Sequence, residues 1–260
     1  PQQTKLASFA EIRLSPKSGT DTALLNGLMK VVLDEGLWDR EFVAQRTEGF
    51  EALAEGLEKY ATEYVAEVAG VPADDMRRAA RLFARASRAS IVYGDGLAQQ
   101  QGGTENALAL VNLALLTGNI GRGGGIYALQ RENNAQGARD MGALPDFLPG
   151  YQSLSDTPAR QRFEQRWGVF LPAEAGLTAL EMIQEAKRGN IKAMYIVGEN
   201  PALSFPHLSL VREALAALDF LVVQDMFLTE TAKLARVVLP AASFAERDGT
   251  STNFERRVQR

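Results

Sequence analysis

The chain has 260 residues, of which 46% are hydrophobic and 23% are charged, a composition typical of globular protein and not of a disordered segment. Its formal net charge of −4, with no basic cluster that outweighs its acidic neighbours, argues against a nucleic-acid partner. It has no cysteine and one histidine, which excludes disulfides, iron–sulfur ligands and thiol catalysis within these residues and disfavours a zinc site. No apolar stretch approaches the ~20 residues that a membrane span needs.

The first half of the sequence predicts helices followed by a strand–helix–strand unit. Apolar residues at helical spacing predict a helix that begins at Thr20 or Asp21 and ends at Gly36. A change of period follows the next helical segments. "SIVYGDG" predicts a strand that ends in glycines, "GTENALALVNLALLTG" an apolar helix, and "IYAL" a second strand. This order predicts a βαβ unit.

The second half predicts a further α/β unit. From Arg131 to about Gln161 the sequence is rich in Asn, Gly, Pro and Asp without a clear period, which indicates a long functional or disordered loop. "TALEMIQEAKRGN" then predicts a helix with the capping-box pair Thr178 and Glu181. The strands "AMYIVG", "FLVVQD" and "VVLPAA" alternate with helices in "HLSLVREALAAL" and "TETAKLA". These strands are apolar throughout, which predicts a parallel sheet covered on both faces.

We therefore predict an α/β fold made of two Rossmann-like lobes with mainly parallel sheets. Residues 1–132 form the first, helix-rich lobe, and residues 133–250 form the second. Residues 251–260 are expected to start a crossover to a further domain. The chain has no initiator Met, which suggests that it begins inside a longer protein.

The predicted strands of the second lobe end in polar segments, "GENPALS", "QDMFLTET" and "PAASFAERDGT". Ligands of parallel α/β sheets bind beyond the carboxyl ends of the strands, so the three segments should share one edge. Asp225 or Glu199 could accept hydrogen bonds from a ribose hydroxyl or from guanine, Ser204 and Thr229 could cap helices or contact phosphate, and Gly198 would let a ligand approach the backbone. The alternative is that Asp225 and Thr229 only cap the short helix that follows their strand.

Two glycine patterns in the first lobe are weaker signals. "GDGLAQQQGG" has G-x-G without the third glycine at the dinucleotide-binding spacing. "GNIGRGGG" is more typical of a flexible turn. Neither pattern establishes a ligand.

The run "NNAQGARDMGALPDFLPGYQ" is more specific. Together with "LALLTGNIGRGGG" before it and "YIVGENPALSFP" and "FLVVQDMFLTETAKLARVVLPAASFAERDGTSTNFERRVQR" after it, it resembles the middle of the catalytic subunit of the molybdopterin oxidoreductase family. Within that family the chain is most similar to formate dehydrogenase alpha subunits. The similarity covers nearly the whole chain.

The resemblance implies a Mo or W ion held between two molybdopterin guanine dinucleotides and served by an iron–sulfur cluster upstream of this chain. A cofactor of this size is expected to meet a dense set of polar side chains and backbone donors. Carried over position by position, the resemblance assigns cofactor-binding roles to Gly19, Asp21, Gly96, Gln99, Glu132, Asn133, Gly198, Glu199, Asn200, Ser204, Gln224, Asp225 and Thr229.

The sequence departs from the resemblance at the substrate position. Related formate dehydrogenases carry Arg-Gly-Gln or Arg-Gly-Glu before Asn-Asn, whereas this chain reads Gln130-Arg131-Glu132. Arg131, the candidate catalytic residue, is thus displaced by one position, which in a strand turns a side chain to the opposite face. The family's metal-ligating Cys or selenocysteine is also absent from this chain, so we expect the fragment alone to be inactive.

The function implied for the full-length protein is oxidation of formate to carbon dioxide. The implied partners are electron-transfer subunits with iron–sulfur or flavin centres and NAD, and the expected location is cytoplasmic. One alternative is the large subunit of a respiratory NADH dehydrogenase complex, in which the same fold has no pterin and serves as a structural scaffold or in electron transfer. Another is an isolated nucleotide-binding module that binds GDP.

Overall fold

The structure, a computed structural model, describes residues 4–121 and 123–260. The chain divides into two compact units, Pro1–Asn133 and Asn134–Arg260. A short 3-10 turn, Lys5–Phe9, comes first. The helices and strands of the first unit are then α1 Asp21–Asp34, α2 Arg40–Arg46, α3 Phe50–Leu57, α4 Thr62–Ala69, α5 Ala73–Arg85, β1 Ser90–Tyr93, α6 Asp95–Ala98, α7 Gly103–Leu116 and β2 Gly125–Ala128.

Helix α1 is the centre of the first unit and packs against α4, α5 and α7. Its apolar stripe is buried, with Met29 and Val32 fully inaccessible to solvent, as the helical spacing of the sequence predicts. At Gly27 an added Cβ would lie 2.8 Å from Cε of Met76 and 2.9 Å from Cγ1 of Val65. The close approach of α1 to α4 and α5 therefore depends on a glycine at this position.

Strands β1 and β2 form a parallel pair in which Ser90 lies opposite Gly125 and Tyr93 opposite Ala128. Helix α7 lies between them in the sequence and contacts β2. The predicted strand–helix–strand unit is present. Because the strands are parallel, their carboxyl ends share one edge, where the amide of Leu129 donates to the carbonyl of Tyr93 at 2.7 Å.

The second unit contains a longer series of short elements. In chain order these are α8 Ala135–Asp140, β3 Phe147–Leu148, β4 Gln152–Ser153, α9 Thr157–Trp167, α10 Ala179–Lys187, β5 Ala193–Val197, α11 Pro201–Ser204, α12 Leu208–Ala216, β6 Phe220–Asp225, β7 Val237–Pro240, β8 Ser251–Thr252 and β9 Val258–Gln259. Two 3-10 turns, Ala232–Leu234 and Phe244–Glu246, flank β7. Throughout 4–121 and 123–260, no helix combines the length and the apolar character needed to cross a membrane.

The main sheet of the second unit has the order β5-β6-β7, and both strand pairs are parallel. Helices α10 and α12 pack together and cover one face of this sheet. Val211 and Leu215 of α12 are buried in a core that also contains Leu221 and Val223 of β6. The fold is therefore α/β with mainly parallel sheets, as predicted.

The opposite face of this sheet is exposed, so the prediction of a sheet covered on both faces is wrong for these residues. Tyr195 and Val197 of β5 are each 58% exposed, and Phe220 of β6 is 44% exposed. Leu239 of β7, on the same face by its pairing with Gln224, is 42% exposed. The strands are apolar on both faces, but the helices of the second unit cover only one.

The region from 131 to 161, predicted as a long loop, contains regular structure. It holds α8, the antiparallel pair β3–β4 and the start of α9. Helix α9 opens on Asp156, whose carboxylate accepts from the amide of Ala159 at 3.4 Å, and has a proline in its first turn. The periodicity missed this helix because Ala159 is its one buried residue.

Residues 251–260, expected to start a crossover, form an antiparallel pair of strands, β8 and β9. The amide of Thr252 donates to Oδ1 of Asn134 at 2.9 Å, and Arg256 approaches Asp140 at 3.5 Å. Both contacts tie the hairpin to the ends of α8. Asn134 has a φ of 61°, a left-handed conformation that Asn tolerates better than most residues.

Candidate functional site

The segments after β5, β6 and β7 meet at one edge of the second unit's sheet. The amide of Gly198 donates to the carbonyl of Gln224 at 2.9 Å, and the amide of Ala241 donates to the carbonyl of Asp225 at 3.0 Å. Gly198 has a φ of +64°, and a Cβ built on it would have no neighbour within 4 Å. The backbone at Gly198 is therefore open to solvent, as a ligand-binding edge requires.

Gln224 and Asp225 point to opposite faces of the sheet because strand residues alternate. The side-chain oxygen of Gln224 accepts a hydrogen bond from the hydroxyl of Tyr195 on the exposed face. Oδ1 of Asp225 accepts from the amide of Phe227 at 3.1 Å, while its second oxygen has no donor among the described residues. Asp225 thus closes a local turn and still presents one free carboxylate oxygen.

Glu199 presents a second free oxygen at the same edge. Its Oε1 accepts from the amide of Asn200 at 3.1 Å and from the hydroxyl of Ser204 at 2.7 Å, which leaves Oε2 without a donor in the part of the chain that is described. The hydroxyl of Ser204 also lies 3.1 Å from the carbonyl of Asn200. Its single hydrogen is already used within the loop, so Ser204 would have to release Glu199 in order to donate to a phosphate.

Thr229 and Asn200 make internal contacts. Oγ1 of Thr229 accepts from the amide of Ala232 at 3.2 Å, as in the helix-capping alternative. Asn200 bonds to Thr231 and also donates from Nδ2 to Glu230 at 3.2 Å. This bond from Asn200 is the largest cause that lowers the pKa of Glu230 from its ordinary value.

The charge of this edge determines which part of a ligand binds there favourably. Glu199, Asp225 and Glu230 contribute carboxylates, and Glu230 forms an ion pair with Lys233 at 3.4 Å. Carboxylate oxygens accept hydrogen bonds from N–H and O–H groups, whereas two negative groups repel each other. The edge therefore suits a base or a ribose better than a diphosphate.

In the first unit the structure brings together two segments that are far apart in the sequence. Nε2 of Gln100 donates to Oδ2 of Asp21 at 2.9 Å, which joins the start of α1 to the segment that follows β1 and contains Gly96 and Gln99. Gly96 lies in α6, and Gln99 follows α6 directly. Both of these residues are exposed, so they are accessible at the carboxyl side of β1.

The remaining predicted residues of this unit are also exposed. Gly19 has a φ of +82° and open space where a Cβ would stand. Arg131, Glu132 and Asn133 follow β2, on the carboxyl edge that β1 shares. Arg131 makes no hydrogen bond or ion pair with any described residue, so its guanidinium is free to meet an anion from outside these residues.

Sequence reasoning missed several polar residues that shape the two edges. Asn106, 2% exposed, donates to the carbonyl of Leu97 at 2.9 Å and accepts from the hydroxyl of Thr22. Thr231 is fully buried and bonds Asn200. The signal for Asn106 was available, because it lies three and four positions before the buried Ala109 and Leu110 on one face of α7.

The family model for molybdopterin oxidoreductases matches residues 1–260. The chain belongs to the molybdopterin oxidoreductase family. It is 50% identical over its full length to the F420-dependent formate dehydrogenase subunit alpha of Methanocaldococcus jannaschii, covering 38% of that protein. It is 42% identical to formate dehydrogenase H of Escherichia coli, again over all of this chain and over 37% of the relative.

Other relatives in the molybdopterin oxidoreductase family carry different names. The assimilatory nitrate reductase catalytic subunit of Bacillus subtilis is 39% identical over 99% of the chain and 37% of the relative. Among solved structures, acetylene hydratase from Pelobacter acetylenicus matches with a TM-score of 0.75 and 26% identity, over 97% of this chain and 37% of that one. Family membership therefore does not by itself select one substrate.

The chain spans less than two fifths of the length of these relatives. Family membership implies a molybdopterin cofactor with Mo or W. Both edges described above have exposed glycines and polar side chains, and the edge of the second unit also presents free acceptor oxygens. This open and polar character is what such a cofactor needs.

Proposed function

We propose that the full-length protein is a formate dehydrogenase that uses two molybdopterin guanine dinucleotides, and that this chain contributes one binding edge for each. The observation that supports it best is the pair of free carboxylate oxygens of Glu199 and Asp225, in a chain that is 50% identical to a formate dehydrogenase alpha subunit. The proposed domains are 1–132 and 133–250, with 251–260 leading to a further part of the protein.

The guanine of one dinucleotide is assigned to the edge of the second unit. Guanine has an imino N–H and an amino group side by side, and a carboxylate is the acceptor that matches them. Asp225 supplies that acceptor, Glu199 binds a ribose hydroxyl, and Gly198 leaves room for the ligand. Gln224, Ser204 and Thr229 border this site, and because the edge is acidic we assign the diphosphate to a position away from it.

The other dinucleotide is assigned to the edge of the first unit. Gly19 and Asp21 meet its nucleotide, and Gly96 and Gln99 meet its pterin. Glu132 and Asn133 extend the same polar surface. When bound, the cofactor would supply a metal centre able to take two electrons from the substrate. The proposed partners are electron-transfer subunits with iron–sulfur or flavin centres and NAD.

Arg131 has the role of holding the substrate anion. A guanidinium pairs with a carboxylate through two parallel hydrogen bonds, and formate is the smallest carboxylate. The exposure of Arg131 and the lack of an ion pair to the described residues support this assignment. Electrostatic attraction of formate would then appear in KM more than in kcat.

The test is formate-dependent reduction of a viologen dye by the purified full-length protein, loaded with Mo or W. We expect formate oxidation, and a KM for formate that is about tenfold higher in Arg131→Ala than in the unaltered protein. Arg46→Ala, which removes another exposed arginine from α2, is the matched control and should not change KM.

Three other outcomes would change the assignment. Reduction of nitrate without formate oxidation would favour the activity named for the B. subtilis relative. A fully matured protein without pterin or metal would favour the scaffold subunit of a respiratory NADH dehydrogenase complex. Formate oxidation with an unchanged KM in Arg131→Ala would remove Arg131 from the substrate site.

A further inference from the structure

The loops after β5 and β6 are joined by a hydrogen-bonded pair, the half-buried Asn200 and the buried Thr231. The amide of Thr231 donates to Oδ1 of Asn200 at 3.1 Å, and the hydroxyl of Thr231 donates to the same oxygen at 2.7 Å. The hydroxyl oxygen in turn accepts from the amide of Ala202 at 3.0 Å. Thr231 has no exposed surface, so water cannot replace these bonds.

The network fixes the orientation of the Asn200 amide group. Its oxygen faces two donors of Thr231, and its Nδ2 faces a carboxylate oxygen of Glu230 at 3.2 Å. A flipped amide would place donor against donor and acceptor against acceptor. Both lone pairs of Oδ1 are thus occupied, and Asn200 has no side-chain acceptor left for a ligand.

The pair connects the two residues that present free carboxylate oxygens. Glu199 directly precedes Asn200 and accepts from its amide at 3.1 Å. Asp225 ends β6, and the segment from Asp225 to Thr231 forms the loop that the pair anchors. The pair therefore links the two loops that carry these acceptors, and a site binds more tightly when its groups are held in place before binding.

We propose that Asn200 and Thr231 are positioning residues, which hold the loops of Glu199 and Asp225 in one arrangement. This inference rests on the proposed function, in which Glu199 and Asp225 bind a guanine dinucleotide. It changes the role of Asn200 from a ligand contact to an internal support and adds Thr231, which the sequence did not indicate.

The test compares Thr231→Val with Thr231→Ser in the full-length protein. Valine keeps the shape of threonine and removes the hydroxyl, whereas serine restores the hydroxyl. Val211→Ala is the control for general loss of stability. Val211 lies on α12 in the core of the second unit, is 1% exposed and belongs to neither loop. Two properties are measured under conditions in which every variant is folded.

The first property is backbone hydrogen exchange of residues 198–204 and 225–231 in cofactor-free protein. We expect Thr231→Val to raise the exchange rate in both segments about tenfold, since the lost hydroxyl served as donor and acceptor. Thr231→Ser should restore the exchange rate. Unchanged exchange in Thr231→Val would overturn the proposed support of the loops.

The second property is the rate at which cofactor-loaded protein loses its cofactor. The cofactor that remains bound to the protein at each time is measured as the GMP that acid hydrolysis releases from it. We expect release to be about tenfold faster in Thr231→Val, near the unaltered rate in Thr231→Ser, and unchanged in Val211→Ala. Equal release from Thr231→Val and Val211→Ala would overturn the positioning role. Absence of GMP from the unaltered protein would overturn the proposed function, and the positioning role with it.

Discussion

Replacing Asn106 by leucine removes the buried polar side chain that shapes the edge of the first unit. Nδ2 of Asn106 donates to the carbonyl of Leu97 at 2.9 Å, and Oδ1 accepts from the hydroxyl of Thr22. Leucine has nearly the same shape but cannot make either bond. The change therefore separates hydrogen bonding from packing at a position that is 2% exposed.

The size of the expected loss of stability depends on which hydrogen bonds Leu97 and Thr22 keep when Asn106 is replaced. The carbonyl of Leu97 keeps a weaker donor, Nε2 of Gln100 at 3.3 Å, and the half-buried Thr22 can turn its hydroxyl toward water. A buried group that loses its hydrogen bond costs about 1–3 kcal/mol, and the remaining partners place each loss near the lower limit. We expect Asn106→Leu to lower the free energy of unfolding of the first unit by about 1–3 kcal/mol.

The assay is urea unfolding followed by tryptophan fluorescence in a Trp167→Phe background. Trp38 lies in the first unit, where its ring stacks on Phe50 with 4.5 Å between centroids, so its signal reports that unit. Asn112→Leu, a half-buried asparagine on the same helix, is the matched control and should shift the midpoint little. An unchanged midpoint in Asn106→Leu would show that these hydrogen bonds do not stabilise the first unit.

Two further predictions concern the first unit. A Cβ on Gly103 would lie 1.9 Å from the carbonyl oxygen of Ala98. In the same urea assay, Gly103→Ala should therefore lower the free energy of unfolding by about 3 kcal/mol or more. Gly56→Ala is the control, because a Cβ at Gly56 would meet open space, and it should be neutral or slightly stabilising. Arg81 donates to both oxygens of Glu35 at 2.7 Å and lowers the pKa of Glu35 from its ordinary value. This ion pair stabilises the folded state at pH values above the ordinary pKa of Glu35, and the stabilisation is lost as the pH falls through its lowered pKa in the folded protein. Arg81→Gln should therefore make the urea midpoint fall less steeply between about pH 5 and pH 3. An equally steep fall in this variant would contradict the prediction.

The sequence allowed the parallel strands and the polar segments at their carboxyl ends to be predicted, because both depend on local pattern. Apolar runs located β5, β6 and β7, and the residues after them meet at one edge. The capping box at Thr178 and Glu181 is present as predicted. These features need no knowledge of distant contacts.

Features with a weak local pattern, or with partners distant in the sequence, could not be predicted in the same way. Helix α9 buries too little apolar surface to show a period, and its start depends on Asp156 and a proline. The apolar residues on both faces of β5 and β6 predicted helices on both faces of the sheet, but the helices of the second unit cover only one face. The bond between Asn200 and Thr231 spans 31 residues, and no local pattern indicated it.

The most direct measurement is the guanine, pterin and metal content of the purified full-length protein. After denaturation and oxidation, pterin is measured by fluorescence, GMP by chromatography, and Mo and W by mass spectrometry. We expect about two pterins and about two GMP for each metal ion. Pterin without GMP would contradict the guanine-binding roles of Asp225 and Glu199, and a fully matured protein with neither pterin nor metal would contradict the enzymatic account altogether.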